Sequence, residues 1–173
     1  MNAIFLGRKV IQAEIDALGA MQHKLNGSFD DAVATILNAQ GRLIVLGMGK
    51  SGIIGKKIAA TMASTGTPAY CVHPGEAFHG DLGMIKPEDT VLMISNSGET
   101  EELIRLLPFL MEQGNAVIAM TGKLNSTLAR HAPSVLDVGV EMEACSNNLA
   151  PTSSTTAALV MGDALAVALS SIR

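Results

Sequence analysis

Five short apolar runs alternate along this sequence with longer segments of helical periodicity, and this alternation constrains the fold more than any other feature. Several runs, such as LIVL, VLMI and AVIAM, are apolar at consecutive positions, as is typical of strands buried on both faces of a parallel sheet. The five predicted strands are Arg42–Leu46, Pro68–Val72, Thr90–Ser95, Ala116–Met120 and Ser134–Asp137. Strands that alternate with helices form right-handed crossover units.

Helical periodicity occupies the remaining segments. Residues 2–25 carry one apolar stripe, Gly27 is expected to end that helix, and Ser28 is expected to cap the next one. Further helices are predicted at Ser51–Ser64, Thr100–Gln113, Ser126–His131 and Ser153–Ser171. The sequence therefore predicts a three-layer α/β fold, a doubly wound five-stranded parallel sheet with strand order 2-1-3-4-5.

Composition and charge exclude several classes of protein. With 48% hydrophobic and 16% charged residues, the chain is not disordered. This low share of charged residues also indicates that a partner chain covers part of the apolar surface. The net charge of −4 and the lack of any basic run argue against nucleic-acid binding. The apolar runs are strand-sized and residues 1–10 do not resemble a secretory signal, so no membrane association is expected.

Length and cysteine content add two expectations. A chain of 173 residues fits one domain, with N-terminal helices over residues 1–40 and the sheet with its closing helix over 41–173. Cys71 and Cys145 lie in unrelated contexts without metal-ligand spacing. A reducing cytoplasm fits this usage.

The glycine-rich turn GMGKSG after the first strand is the first candidate binding element. Ligands of doubly wound sheets bind where the strand order reverses, here between strands 1 and 3. Gly49 lets the backbone approach a ligand, and the helix start at Lys50 and Ser51 offers free N–H groups to a phosphate. The turn matches GxGxxG, but no acidic residue follows strand 2 to hold a ribose. A plain tight turn remains the alternative.

A second polar loop, SNSGET, follows the third strand. Ser95, Asn96, Ser97 and Thr100 supply three hydroxyls and one amide at a helix start. Together with backbone N–H groups they form a phosphate cradle that has no cation of its own. A simple helix cap needs only one such residue, so the three hydroxyls favour a ligand site over a cap. Two anion-binding loops at the same reversal of strand order support this interpretation further.

The segment HPGEAFHGD, residues 73–81, follows the second strand. His73, His79 and two carboxylates fall within nine residues, but their spacing fits no zinc pattern, so no metal is expected. Gly75 and Gly80 are expected to bracket a functional segment that needs particular backbone angles, with a surface loop as the alternative.

The last candidate element lies near the C-terminus. Thr152 or Ser153 is expected to cap the closing helix, and capping alone is the alternative to a ligand role. Glu102 and Glu143 are candidate proton-transfer groups, although most glutamates are solvated surface residues.

These motifs resemble the sugar isomerase (SIS) domain, and specifically the D-arabinose-5-phosphate isomerase family. The resemblance spans roughly residues 5–173 and rests on GMGKSG, STGTPAYCVHPGEAFHGDLGMI, SNSGET, LAPTSSTT and MGDALAVAL. SNSGET marks only the broad class, whereas HPGEAFHGDLG with LAPTSSTT is more specific. The resemblance implies a flavodoxin-like sheet and interconversion of D-ribulose 5-phosphate and D-arabinose 5-phosphate. The product would feed synthesis of Kdo, an acidic sugar of bacterial lipopolysaccharide or capsule.

The resemblance also implies residue roles. The residues matched to phosphate binding are Ser51, Ser95, Asn96, Ser97 and Thr100. Those matched to positions around the sugar, as catalytic groups, are Lys50, His79, Glu102 and Glu143. Further substrate contacts are expected from Gly49, His73, Thr152 and Ser153. Such an isomerase moves a proton between adjacent carbons through an enediol and needs a base and groups that polarise the carbonyl. No cofactor is expected, and the identity of the base stays open.

Two further expectations follow from the resemblance. Family members typically continue past the last helix with a His-Pro-Gly-Gly segment and paired CBS domains, so this chain is either a natural short form or a truncated form with weak activity. SIS domains assemble with sites at subunit boundaries, and a homotetramer that buries the Met1–Gln40 region and the last helix is expected. The alternatives are a non-catalytic phosphosugar-binding module and an isomerase of another sugar phosphate.

Overall fold

The computed structural model describes residues 2–173 and shows five strands enclosed by helices. The strands are β1 (Leu43–Gly47), β2 (Ala69–Val72), β3 (Thr90–Ser95), β4 (Ala116–Thr121) and β5 (Ser134–Asp137). The helices are α1 (Ala3–His23), α2 (Gly27–Asn38), α3 (Gly49–Ser64), α4 (Pro74–Ala77), α5 (Glu101–Gln113), α6 (Thr127–His131) and α7 (Ser153–Ile172), and a 3-10 turn covers Asp81–Met84.

The sheet has the order β2-β1-β3-β4-β5, and every neighbouring pair is parallel. The predicted fold class and strand order are therefore confirmed. In the central strand β1, Val45 lies opposite Cys71 of β2 and Leu92 of β3. The strand order reverses between β1 and β3, so the loops after these two strands meet at the carboxyl edge of the sheet.

The strands are apolar at consecutive positions because both of their faces are covered. Val45, Leu92 and Ile118 belong to the core on the side of α2, α3 and α7. The alternate residues, such as Leu46 and Met93, belong to the core on the side of α4, α5 and α6. All of these side chains are fully buried, and each buried aliphatic residue contributes about 1.5–3 kcal/mol.

Two local predictions are wrong. Asn26 caps α2 by accepting a hydrogen bond from Ser28 N at 2.9 Å, and Gly27 is the first helical residue. An Asn carboxamide placed there reaches the second N–H of the helix, so Ser28 has no capping role. Gly80 has a φ of +128° as expected, but Gly75 lies inside α4 and is not among the glycines with positive φ.

By length and composition alone, one described helix, α7, is long and apolar enough to cross a membrane. Only strand-sized apolar runs are visible in the sequence because Gly162 and Asp163 divide the apolar residues of α7 into two short runs. One face of α7, including Ala157, Met161 and Leu165, is buried in the core shared with α3 and the sheet. This packing is that of a core helix, and it leaves only part of α7, such as Val167, exposed.

At the opposite, amino edge of the sheet, Asp89 joins the starts of β1 and β3. Its side chain is 1% exposed and accepts hydrogen bonds from Arg42 N at 2.7 Å and Lys86 N at 2.8 Å. The Arg42 guanidinium lies 3.2 Å from the second carboxylate oxygen. Burial disfavours the charged carboxylate, but the hydrogen bonds from Arg42 and Lys86 outweigh it and lower the pKa of Asp89.

We predict that Asp89→Asn lowers the free energy of unfolding at neutral pH by about 1.5–3 kcal/mol, the usual contribution of hydrogen bonds to a charged group. Because the folded-state pKa lies below the unfolded value of about 3.9, this stabilisation is complete above that value and is lost as the pH falls through the folded pKa. Urea titrations between about pH 7 and pH 3 should show the gap between the two proteins narrowing. A gap that is independent of pH would contradict the assignment.

Candidate active site

A cavity of about 240 Å³ lies at the carboxyl edge of the sheet, beside the point where the strand order reverses. Its polar lining consists of Lys50, Ser51, Asn96, Ser154 and Thr155. Its apolar lining includes Ile94 and Met120, which are fully buried strand residues. The exposed Lys50 and Asn96 therefore stand on the solvent side of an apolar floor.

The turn from β1 into α3 brings backbone N–H groups to this cavity. A Cβ on Gly52 would lie 2.5 Å from Gly47 O, so the turn can close this tightly only with glycine. Gly49 opens α3 with a φ of +55°. Met48, at the cap position, makes no side-chain capping bond, so the first N–H groups of α3 are free to bind an anion.

The loop after β3 is shaped by two of its own hydroxyls. Ser95 Oγ lies 2.7 Å from Thr100 Oγ1 and accepts from Gly98 N at 3.0 Å. Ser97 Oγ accepts from Glu99 N at 3.1 Å and, like Asn96, is exposed. The structure therefore places Ser95 and Thr100 behind the loop, while Asn96 and Ser97 face solvent.

Gly98 allows the loop after β3 to pack closely against the end of β4 and the start of α6. Its φ is +65°, and a Cβ there would overlap the Ser126 side chain and lie 2.9 Å from Thr121 Oγ1. Gly98 O accepts from Leu128 N at 3.1 Å. The loop after β3 is thus supported from behind by the start of α6, and the N-terminus of α5, which no side chain caps, stays accessible.

Glu143 caps the third helix that begins near the cavity, α7. Its Oε2 accepts from Thr152 N at 2.8 Å, Ser154 N at 3.1 Å and Thr152 Oγ1 at 3.1 Å. Thr152 occupies the cap position of α7, as predicted, but its hydroxyl makes no capping bond and accepts from Ala144 N instead. The buried Ser153 Oγ has no partner among the described residues. Burial disfavours the Glu143 carboxylate, but hydrogen bonds from Ser154 and Thr152 outweigh it and lower its pKa.

His79 and Glu102 do not line this cavity among the described residues. His79 is exposed between α4 and the 3-10 turn, and Glu102 is half-buried in the first turn of α5. The Arg105 guanidinium lies 4.8 Å from the centre of the Phe78 ring. This contact ties the segment that carries His79 to the helix that carries Glu102, on the sheet face opposite α3 and α7.

His73 also lies apart from the cavity of Lys50. It lines a separate space of about 220 Å³ with Gly49, Lys56 and Cys71, between β2 and α3. Of the predicted site residues, Lys50, Ser51 and Asn96 therefore share the cavity at the carboxyl edge of the sheet.

Sequence reasoning selected Thr152 and Ser153 but missed Ser154 and Thr155, which line the cavity. Ser154 and Ala158 lie four residues apart on α7, and both line it. Residues at this spacing share one helix face. The apolar stripe of α7 was therefore the signal that could have identified Ser154.

Comparison with known proteins decides the family. Residues 36–168 match the SIS domain family. This chain belongs to the SIS domain family. The predicted family and SIS fold are therefore confirmed.

Two curated relatives and one solved structure illustrate the similarity. The arabinose 5-phosphate isomerase KdsD of Yersinia pestis is 54% identical over 94% of this chain and 50% of its own length. KpsF of Escherichia coli O6:H1, named arabinose 5-phosphate isomerase, is 49% identical over 94% of this chain and 50% of its own length. The SIS chain thus spans about half the length of the curated relatives it matches. A protein of Escherichia coli CFT073 in complex with arabinose 5-phosphate superposes with a TM-score of 0.95 at 42% identity, covering 99% of this chain and 93% of that chain.

We predict that Gly98→Ala destabilises the protein by about 1–3 kcal/mol, because alanine is strained at positive φ and meets the Ser126 side chain. The matched control is Gly27→Ala, where a Cβ meets nothing within 4 Å. Thermal unfolding of both variants measures the difference. Equal melting temperatures for the two variants would show that the loop after β3 is not held as described.

Proposed function

We propose that this SIS chain is an aldose–ketose isomerase that interconverts D-arabinose 5-phosphate and D-ribulose 5-phosphate through an enediol, in support of Kdo and surface polysaccharide synthesis. The observation that carries the proposal is a cavity lined by Lys50, Ser51 and Asn96 in a chain about half identical to proteins named arabinose 5-phosphate isomerases. The reaction needs a site that binds a phosphosugar and a group that stabilises an oxyanion. The polar side chains of this cavity can bind the phosphosugar, and Lys50 can stabilise the oxyanion.

The substrate phosphate is proposed to bind between the N-termini of α3 and α5. Neither helix has a side-chain cap, so their free N–H groups and positive dipole ends attract an anion. The N-terminus of α7 already holds the Glu143 carboxylate and therefore repels a second anion. Lys50 supplies the positive charge that the loop after β3 lacks and offsets the acidic Glu101 and Glu102 in the first turn of α5.

Lys50 is also proposed to stabilise the negative charge that develops on the sugar oxygens. His79 and Glu102 are proposed to serve proton transfer and ring opening. Both lie outside the cavity of a single chain, so they must reach the sugar across a subunit boundary or after a movement of their segments. The resemblance to SIS proteins with sites at subunit boundaries supports the first arrangement.

We further propose that the chain is a homo-oligomer, with a tetramer as the expected state. The first half of α1 exposes Ile4, Phe5 and Ile11, each more than 60% accessible. An apolar helix face of this size requires a partner. Arg8 and Lys9 precede Glu14 and Asp16 along α1, so an antiparallel pair of α1 helices from two copies is complementary in charge.

The oligomer proposal predicts a particle of about four times the 18.0 kDa chain mass in light scattering. Ile4→Glu combined with Ile11→Glu should reduce that mass, because the charges would be buried between the paired helices. Met111→Glu, at an exposed apolar position on α5, is the matched control and should not. A wild-type monomer at micromolar concentration would contradict the proposal.

We also infer one SIS domain over the chain and a cytoplasmic location. Met21 of α1 and Val33 and Ile36 of α2 belong to the same core cluster as the sheet and α7, which supports a single domain. Cys71 and Cys145 are both free thiols, which supports a reducing compartment.

A coupled assay with D-arabinose 5-phosphate as substrate and detection of D-ribulose 5-phosphate tests the function. We expect turnover by the wild-type chain and a loss of about 10²–10³ in kcat/KM for Lys50→Met, the range for removal of an oxyanion-stabilising group. Lys86→Met changes an exposed lysine outside the cavity and is the matched control.

Other outcomes of this assay point to the alternatives. Calorimetric binding of the phosphosugar without turnover would favour a non-catalytic binding module. Faster turnover of hexulose phosphates than of ribulose 5-phosphate would favour an isomerase of another sugar phosphate.

A further inference from the structure

We propose that Glu143 is a positioning residue, which fixes the first turn of α7 against the cavity, and is not the group that moves the proton. This inference rests on the proposed isomerisation. It assigns Glu143 a role different from the one that the family resemblance implies.

The geometry of the Glu143 carboxylate carries the inference. All three hydrogen bonds from the start of α7, two from Thr152 and one from Ser154 N, fall on the same oxygen, Oε2. The Thr152 hydroxyl is itself used twice, as donor to Glu143 and as acceptor from Ala144 N at 2.8 Å. The contact between the loop and the helix is thus a closed hydrogen-bonded unit.

The loop that carries Glu143 is also held internally. Glu143 N donates to Asn148 Oδ1 at 2.6 Å. The N–H groups of Leu149 and Ala150 both donate to Cys145 Sγ at 3.1 Å. Because the loop has its own internal bonds, its attachment to α7 through Glu143 and Thr152 determines where the helix start lies relative to the loop.

This attachment leads directly to the cavity wall. Ser154 donates its N–H to Glu143, and Thr155 donates its hydroxyl to Thr152 O at 2.9 Å. Pro151, Ser154 and Thr155 all line the cavity, whereas Glu143 does not. Glu143 therefore acts on a bound sugar through the positions of these neighbours.

The charge of Glu143 suits this role better than proton transfer. A carboxylate at a helix N-terminus is stabilised by the helix dipole, and its hydrogen bonds lower its pKa. A general base works best when its pKa is near the operating pH, so this shift makes Glu143 a weaker base. Its negative charge also leaves the N-termini of α3 and α5 as the places for a phosphate.

Two substitutions separate positioning from proton transfer. Because one oxygen accepts all three bonds, the amide oxygen of Glu143→Gln can accept them as well, whereas Glu143→Ala leaves them unmade. We expect Glu143→Gln to keep kcat within about threefold, far from the 10²–10⁴ loss of a missing general base, and to keep the acid limb of the pH profile. Glu143→Ala should lower Tm by about 2–4 °C and raise KM more than it lowers kcat.

Glu141→Gln is the matched control, because the Glu141 carboxylate is exposed and makes no hydrogen bond among the described residues. A loss of at least about 10² in kcat for Glu143→Gln with an unchanged Tm would overturn the proposal and identify Glu143 as a proton-transfer group. Unchanged Tm and unchanged kinetics in Glu143→Ala would also overturn the proposal, because Glu143 would then neither position α7 nor transfer a proton.

A measurement without substrate keeps the inference separate from the proposed function. Hydrogen exchange should show the Thr152 and Ser154 amides protected in the wild type and in Glu143→Gln but not in Glu143→Ala. If the wild type does not turn over D-arabinose 5-phosphate, the proposed function fails, and this pattern still shows that Glu143 positions α7. Equal protection in all three proteins would overturn the positioning role itself.

Discussion

The convergence of helix N-termini at one edge of a parallel sheet is the constraint on which the rest of this structure depends. Every strand runs in the same direction, so α3 and α5, which follow β1 and β3, both begin at the carboxyl edge, and the start of α7 joins them at the cavity. Each helix start leaves N–H groups without an intrahelical partner. Glu143 accepts from the N–H groups of Thr152 and Ser154 at the start of α7. The first N–H groups of α3 and α5 have no side-chain cap and are available to an anion.

The sheet was predictable from the sequence because its strands are buried on both faces and therefore apolar at consecutive positions. The proximity of the loops GMGKSG and SNSGET was predictable because a reversal of strand order places them side by side. The cap of α7 was not predictable, because it comes from Glu143, nine residues before Thr152, and depends on how an irregular loop folds. Local patterns show which residues can cap a helix, but they do not show a cap that another segment provides.

The separation of the expected catalytic groups was also hidden from the sequence. Lys50 lines the cavity, but His79 and Glu102 lie on the other face of the sheet, joined through the contact of Phe78 with Arg105. The exposed apolar half of α1 provides a physical reason for a second copy of the chain. A second copy is one of the two proposed ways by which these groups reach one sugar, and a movement of their segments is the other.

The most direct test of this account is a structure of the 173-residue chain with D-arabinose 5-phosphate bound. The account predicts the phosphate within hydrogen-bond distance of Ser97 and of the first N–H groups of α5, with the sugar in the cavity beside Lys50. Glu143 should remain bonded to Thr152 and Ser154. A phosphate that replaces Glu143 at the start of α7, or a sugar seated in the separate space beside His73, would contradict it.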